Sequence, residues 1–273
     1  MTIEEIETAL RESAEVRDTV LCQAYASTVA LFAVSEHGQG QSLELAGTGT
    51  LVEVDGSQYI LTAAHVWEEV LKTASKVGIS LPENRDHSFL MDVSTLVPVG
   101  PPKPDSWNEW GPDVIFLRIP QAHVGAIRAF RTFYNLSFEG VSEQEKIALK
   151  TTHLELWVFI GAPHEFGKFP AKNYADIQIN AFFASDPVTH FKNGFDFLDF
   201  KAETSLPGVP KSFGGVSGGG LWKILAYASP STGNIDSIAT LEGVAFYELP
   251  VDDNHSVIRG HGPKTIAATK PTP

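Results

Sequence analysis

The sequence predicts an all-β fold of antiparallel barrel or sandwich type. Three observations predict it. Most apolar residues fall in short runs bounded by Gly, Pro, Asn or Asp, and Asp55-Gly56 stands between two such runs as a strong hairpin signal. No helical crossovers alternate with the runs, as a parallel sheet would need.

The elements follow in chain order. Thr2 and Glu5 have the spacing of a capping box, acidic residues fill the first turn, and Ile3, Ile6 and Leu10 share a face, so a short helix is read over residues 3–15. From Thr28 the period changes to that of a strand in TVALFAV, and HGQGQ at 37–41 reads as a turn. GTGTLVEV and SQYILTAA form the hairpin around Asp55-Gly56, and HVWEEVLKTA reads as a short helix. Further strands are read in FLMDVSTLVPV, DVIFLRI, LELWVFIGAP, YADIQINAFF, GFDFLDF, GLWKILAYA and SIATLEGVAFYEL, with Asn193-Gly194 as a turn among them. PVGPPKPDSWNEWGP at 98–112 reads as a loop, and 119–136 as short helices or the crossing between two halves.

Composition narrows the function. With 43% hydrophobic residues in 273, the chain can bury a core of one large domain or two packed lobes. A formal charge of -13 opposes binding to phosphate backbones or anionic membranes, so nucleic acid and membrane are not expected as partners. Cys22 is the single cysteine, which excludes an internal disulfide and reads as a small buried residue. No run approaches the roughly 18 apolar residues of a membrane span, and the charged N-terminus lacks a signal-peptide pattern; together these point to a reducing, cytoplasmic setting.

Three pieces carry chemistry. LTAAHV places His65 after a strand, DVIFLRI opens an apolar strand with Asp113, and GGVSGGGLW sets Ser217 in a glycine turn before another strand. A serine hydroxyl becomes a nucleophile when an imidazole takes its proton, and the imidazole needs a carboxylate to fix its tautomer. The developing oxyanion needs backbone N–H donors, here those of Gly215 and Ser217. Asp92 is the alternative acid. The other histidines show no metal-ligand spacing and no glycine-rich phosphate loop follows a strand, so no metal or cofactor is implied; the two histidines of NHSVIRGHG read as part of a surface loop.

In these motifs and their order the sequence resembles the trypsin/chymotrypsin-like serine peptidases. GTGTLVEVDGSQYILTAAHV resembles the strand pair leading to the His in bacterial members, VFIGAP the strand opening the second barrel, and LEGVAFYEL the strand lining the substrate cleft. Val216 stands where many secreted members carry an activating Asp, a departure shared with bacterial, intracellular-type, disulfide-free members. The resemblance implies two packed antiparallel β-barrels with a short N-terminal helix: a helical extension at 1–27, a first barrel at 28–135 with His65 and Asp113, a second at 136–262 with Ser217, and a flexible tail at 263–273. It implies a serine endopeptidase acting on a protein or peptide, with Lys211 at the base of a specificity pocket and Phe246, Tyr247 and Glu248 as its walls. A regulatory protein partner is left open, and the turn at 214–217 is expected to be set by the packing of Val216 and its own backbone, or by such a partner.

Two other classes compete. G-x-S-x-G also fits the elbow of an α/β-hydrolase esterase, which needs a helix after the serine and a parallel sheet before it. A non-catalytic binding or regulatory module would keep the barrels and lack a formed oxyanion hole.

Overall fold

The computed structural model describes all residues except 38–39, 81–87, 102–107, 139, 149–151, 172–173, 230 and 273. Parts of the turn read at 37–41 and of the loop read at 98–112 lie outside the described residues. Two largely antiparallel sheets make up most of the protein. The first contains β1 (Thr28–His37), β2 (Gly40–Val54), β3 (Ser57–Thr62), β4 (Lys76–Ser80), β5 (Ser88–Asp92), β6 (Val97–Val99) and β7 (Ile115–Arg118) in the order β5-β4-β1-β2-β3-β7-β6, with β8 (Tyr134–Asn135) parallel on β2. Asp55 and Gly56, at φ 48° and 78°, make the tight turn that pairs Val54 with Ser57.

The second sheet joins β9 (His153–Gly161), β12 (Asn180–Ala184), β13 (Val188–Lys192), β14 (Phe195–Glu203), β15 (Gly220–Ala228), β16 (Ile235–Asp252) and β17 (His255–His261) in the order β12-β9-β15-β16-β17-β14-β13. A separate ribbon, β10 (Lys168–Ala171) with β11 (Tyr174–Asp176), stands off it. Helices are few: α1 (Ile3–Glu12), α2 (Ala14–Ser27), α3 (Gln121–Arg128), α4 (Glu143–Ala148) and α5 (Pro263–Thr269). Among the described residues none is long and apolar enough to cross a membrane.

One core serves both sheets. Val52, Leu61 and Phe116 of the first pack with Val158, Ile160, Trp222 and Ile224 of the second, and Ile6, Leu10, Val20 and Leu21 of the two N-terminal helices close the same cluster. Each such side chain contributes about 1.5–3 kcal/mol when fully buried. Polar bonds fix the helices in place: Gln23 Oε1 accepts from Ala239 N at 3.0 Å, and Ser237 Oγ donates to Val20 O at 2.9 Å. Residues 235–241 of β16 pair only with β15, so α2 covers what would be an open strand edge.

Four expectations are corrected. The single helix at 3–15 is two helices, because Ser13 is extended (φ -110°) and its hydroxyl caps α2 by accepting from Val16 N. Cys22 is exposed, on the face of α2 opposite Val20, Leu21 and Ala24. The surface loop read around His255 and His261 is β17, paired on both sides, with His261 fully buried.

The flexible tail at 263–273 contains α5, with Thr265 and Ile266 buried. That helix is capped from a distance: the buried Asp196 on β14 accepts from Lys264 N at 3.0 Å, Thr265 N at 2.7 Å and Thr265 Oγ1 at 2.6 Å. Asp196→Ala should lower unfolding free energy by about 2 kcal/mol, the upper end for a lost cap, with the loss read by urea denaturation.

Candidate active site

Strand register brings His65 and Asp113 together. Thr62, the last residue of β3, lies opposite Ile115, the first of β7. His65 therefore leaves its strand at the same edge where Asp113 enters the next one. Asp113 is 2% exposed, and its carboxylate is held twice by one residue: His65 N donates to Oδ1 at 2.9 Å and His65 Nδ1 lies 2.6 Å from Oδ2. A carboxylate accepts, so Nδ1 carries the proton and Nε2 keeps its lone pair. Asp92 has other work: exposed on β5, it accepts from Ser94 N and Ser94 Oγ.

Ser217 precedes β15 and is delivered by the second sheet. Phe213 O accepts from Val216 N at 3.0 Å, and Gly215 has φ 92°, which defines a type II turn whose third position favours glycine. A trans peptide points its C=O and N–H in opposite directions. Gly214 O accepts from His164 N at 2.7 Å, so the Gly215 N–H points away from His164. Val216 O accepts from Gly219 N at 2.8 Å, so the Ser217 N–H points away from Gly219. Both amides donate to no atom among the described residues, which leaves a pair of donors flanking Val216.

Thr48 on β2 fastens this turn to the first sheet. Its N–H donates to Ser217 O at 2.8 Å and its Oγ1 donates to Gly215 O at 2.7 Å. The same Oγ1 accepts from Ala162 N at 3.0 Å, and Thr48 O accepts from Thr62 Oγ1 at 2.7 Å. A Cβ on Gly47 would stand 2.8 Å from Ser217 O and 2.9 Å from Val66 Cγ2, so Gly47 separates the serine turn from the residue after His65 by no more than one atom's width. Val216 is 2% exposed against Gly161 and the cluster of Phe159, Phe182 and Phe213.

The four residues expected to shape specificity fare differently. Lys211 is exposed, and its N–H donates to Glu165 Oε2 at 2.8 Å. Phe246 is corrected: it is 2% exposed and stacks on His261 with centroids 4.4 Å apart, facing the core instead of a pocket. Tyr247 is exposed. The half-buried Glu248 carboxylate accepts from Phe213 N at 2.9 Å, Ser212 Oγ at 3.2 Å and Ser256 Oγ at 3.0 Å, tying β16 to the segment that enters the serine turn.

Beside the turn lies a cleft of about 610 Å³ lined by Leu43, Leu45, His164, Phe169 and Pro170. His164 links it to the site, its Nε2 lying 2.8 Å from Leu45 O. Among the described residues no group of three His, Cys, Asp or Glu could hold a metal ion.

Sequence reasoning missed Thr48, His164 and His261. Thr48 lay within GTGT with nothing to set it apart, His164 was weighed only as a metal ligand, and His261 was read into a surface loop.

No protein-family model matches the chain, and no curated protein matches it. Among solved structures it is similar to the active form of the Rv3671c protease from M. tuberculosis, at 15% identity over 94% of this chain and 85% of that one, with a TM-score of 0.48. It is also similar to the tobacco vein mottling virus protease, at 12% identity over 92% and 83% of the two chains, with a TM-score of 0.43. Neither likeness bears on the roles of individual side chains.

His261 links the site to pH. Burial pushes its pKa from 6.5 down to about 4, against the opposing pull of Asp113 and Asp196. The unfolded chain takes up this proton near 6.5 and the folded protein near 4, so this part of the stability is full above pH 6.5 and is lost as pH falls through 4. The loss amounts to about 3 kcal/mol. Denaturation curves across that interval should slope in the wild type and flatten in His261→Phe.

Proposed function

We propose that the protein is a serine endopeptidase of trypsin-like architecture, its two sheets being the walls of two packed barrels. The observation that carries this reading is a His–Asp pair with the correct tautomer beside a serine turn whose flanking amides donate to no atom among the described residues. In this reading Ser217 Oγ attacks the scissile carbonyl while His65 Nε2 takes its proton, and Asp113 stabilises the imidazolium. The tetrahedral oxyanion is held by the N–H groups of Gly215 and Ser217. His65 then gives the proton to the leaving amine, the acyl group stays on Ser217, and water attacks it by the same route in reverse. The mostly apolar cleft at Leu43, Leu45 and Phe169, which also holds Glu44 and His164, would offer a surface for peptide near the serine turn. Val216 in place of an acid agrees with the disulfide-free members of the family that the sequence resembles.

The rival readings fare worse. An α/β-hydrolase elbow leads from a parallel strand into a helix, whereas Ser217 leads into β15, which is antiparallel to both its neighbours. A binding module has no need of free amides at Gly215 and Ser217, since it would do better to pair them.

Two outcomes test the proposal. Ser217→Ala and His65→Ala should each lower peptide hydrolysis by on the order of 10⁶-fold, with the double variant little worse. Both should abolish labelling by a serine-directed phosphonate. Losses that add, or full activity in either variant, would count against a shared role. Separately, Asp113→Asn should fold normally and lose on the order of 10⁴-fold near neutral pH by presenting the wrong His65 tautomer. If Asp92→Asn were the damaging change instead, the acid would be misassigned.

A further inference from the structure

Asp113 belongs to the first sheet, yet the chain that delivers it is gripped by the second. Arg259 and His261 on β17 are two residues apart and so share a face of the strand. Arg259 Nη1 donates to Glu109 O at 3.1 Å, its guanidinium lies 4.0 Å from the Trp110 ring centroid, and Asp199 holds it by two bonds of 2.7 Å. Lys192 Nζ lies 3.8 Å from the centroid of the same ring. Four residues after Glu109, Asp113 N donates to His261 Nε2 at 2.9 Å. That backbone N–H sits on the residue whose carboxylate orients His65.

His261 is shaped for this one contact. Its ring stacks at 14° on Phe246 and also packs near Phe197 and Phe195, with centroids 5.0 and 5.9 Å away. Because Nε2 accepts, Nδ1 must carry the proton, and this buried Nδ1 makes no well-formed hydrogen bond among the described residues, only a weak interaction with the Asp196 backbone. A buried donor so poorly paired destabilises the fold. A phenylalanine would fill the same aromatic site and remove the poorly paired donor, but it would leave the buried Asp113 N–H without an acceptor, so what the imidazole adds here is its Nε2 lone pair. The poorly paired donor is what remains when a ring is chosen for its acceptor.

We infer that His261 is a positioning residue: as a neutral acceptor for the Asp113 N–H, it sets the orientation of the Asp113 carboxylate on His65. The inference rests on the peptidase reading for its kinetic consequence, but its structural consequence is independent of any reaction. A proton held between His65 Nδ1 and Asp113 Oδ2 at 2.6 Å gives a far-downfield resonance, which can be recorded in Ser217→Ala protein that hydrolyses nothing.

The experiment compares His261→Phe, which keeps the ring and loses the acceptor, with His261→Gln, whose side-chain carbonyl reaches the Nε2 position. His261→Phe should lose or shift the resonance and lower kcat about 10- to 100-fold at unchanged KM, the penalty for a misplaced catalytic group. His261→Gln should keep the resonance and most of kcat. The inference is overturned if His261→Phe retains both wild-type resonance and kcat, or if a folded His261→Gln loses the resonance. The second arm decides the matter even if His261→Phe does not fold. Should the wild type prove inactive on every peptide, the peptidase reading fails while the resonance comparison still tests the role of His261.

Discussion

The contact on which the site depends is the set of four hydrogen bonds made by Thr48. The first sheet brings the His65–Asp113 pair, the second brings Ser217 and its flanking amides, and the proposed chemistry needs both halves. Apolar packing between sheets is non-directional and tolerates small slides. Hydrogen bonds at 2.7–3.0 Å do not, and those of Thr48 reach Ser217, Gly215, Ala162 and Thr62 from a single buried residue. The carbonyls of Gly215 and Ser217 that they engage alternate with those of Gly214 and Val216, held by His164 and Gly219, so successive peptides of the turn are each fixed in orientation. A threonine at this place therefore sets inter-sheet distance and peptide orientation together.

The turn at 214–217 illustrates how a strained-looking loop is stabilised without charge. Every carbonyl from Gly214 to Ser217 accepts a hydrogen bond, from His164, Thr48, Gly219 and Thr48 again. Rotating the Gly214–Gly215 peptide would break the bond to His164 N and turn a carbonyl toward the site. Beneath, Val216 fills an aromatic pocket where a carboxylate would need a buried cation to be tolerated. Backbone bonding and packing thus hold the turn in the open geometry, using groups that belong to the chain itself.

Much of this was legible in the sequence, and the limits have physical causes. His65, Asp113 and Ser217 stand out in the sequence because each lies close to where a strand ends or begins, and antiparallel strand ends are where residues far apart in sequence meet. The capping box of Thr2 and Glu5 and the turn at Asp55-Gly56 depend on neighbouring residues only, so they were readable as well. Asp196 capping α5 was not, because the cap comes from a strand some seventy positions earlier and a local reading of Gly262-Pro263 sees only a tail. His261 and Phe246 were misread for a related reason: alternation along a strand says that one face is buried, but not what lies against it. Ser13 broke a helix that the apolar period alone would have carried onward.

The docking of α2 on the edge of β16 has a consequence for how the chain comes to be folded. Gln23 meets Ala239 and Val20 meets Ser237, contacts that span more than two hundred residues of sequence. During synthesis these two helices emerge before β16 and cannot complete their docking until β16 has left the ribosome. Their apolar faces, with Ile6, Leu10, Val20 and Leu21, stay incompletely covered through that interval. Such distant pairings slow folding, since loop closure must precede the contacts that stabilise it. The two helices are therefore among the last elements to be fully placed, and until they arrive the ladder at residues 235–241 is an open template for any other strand.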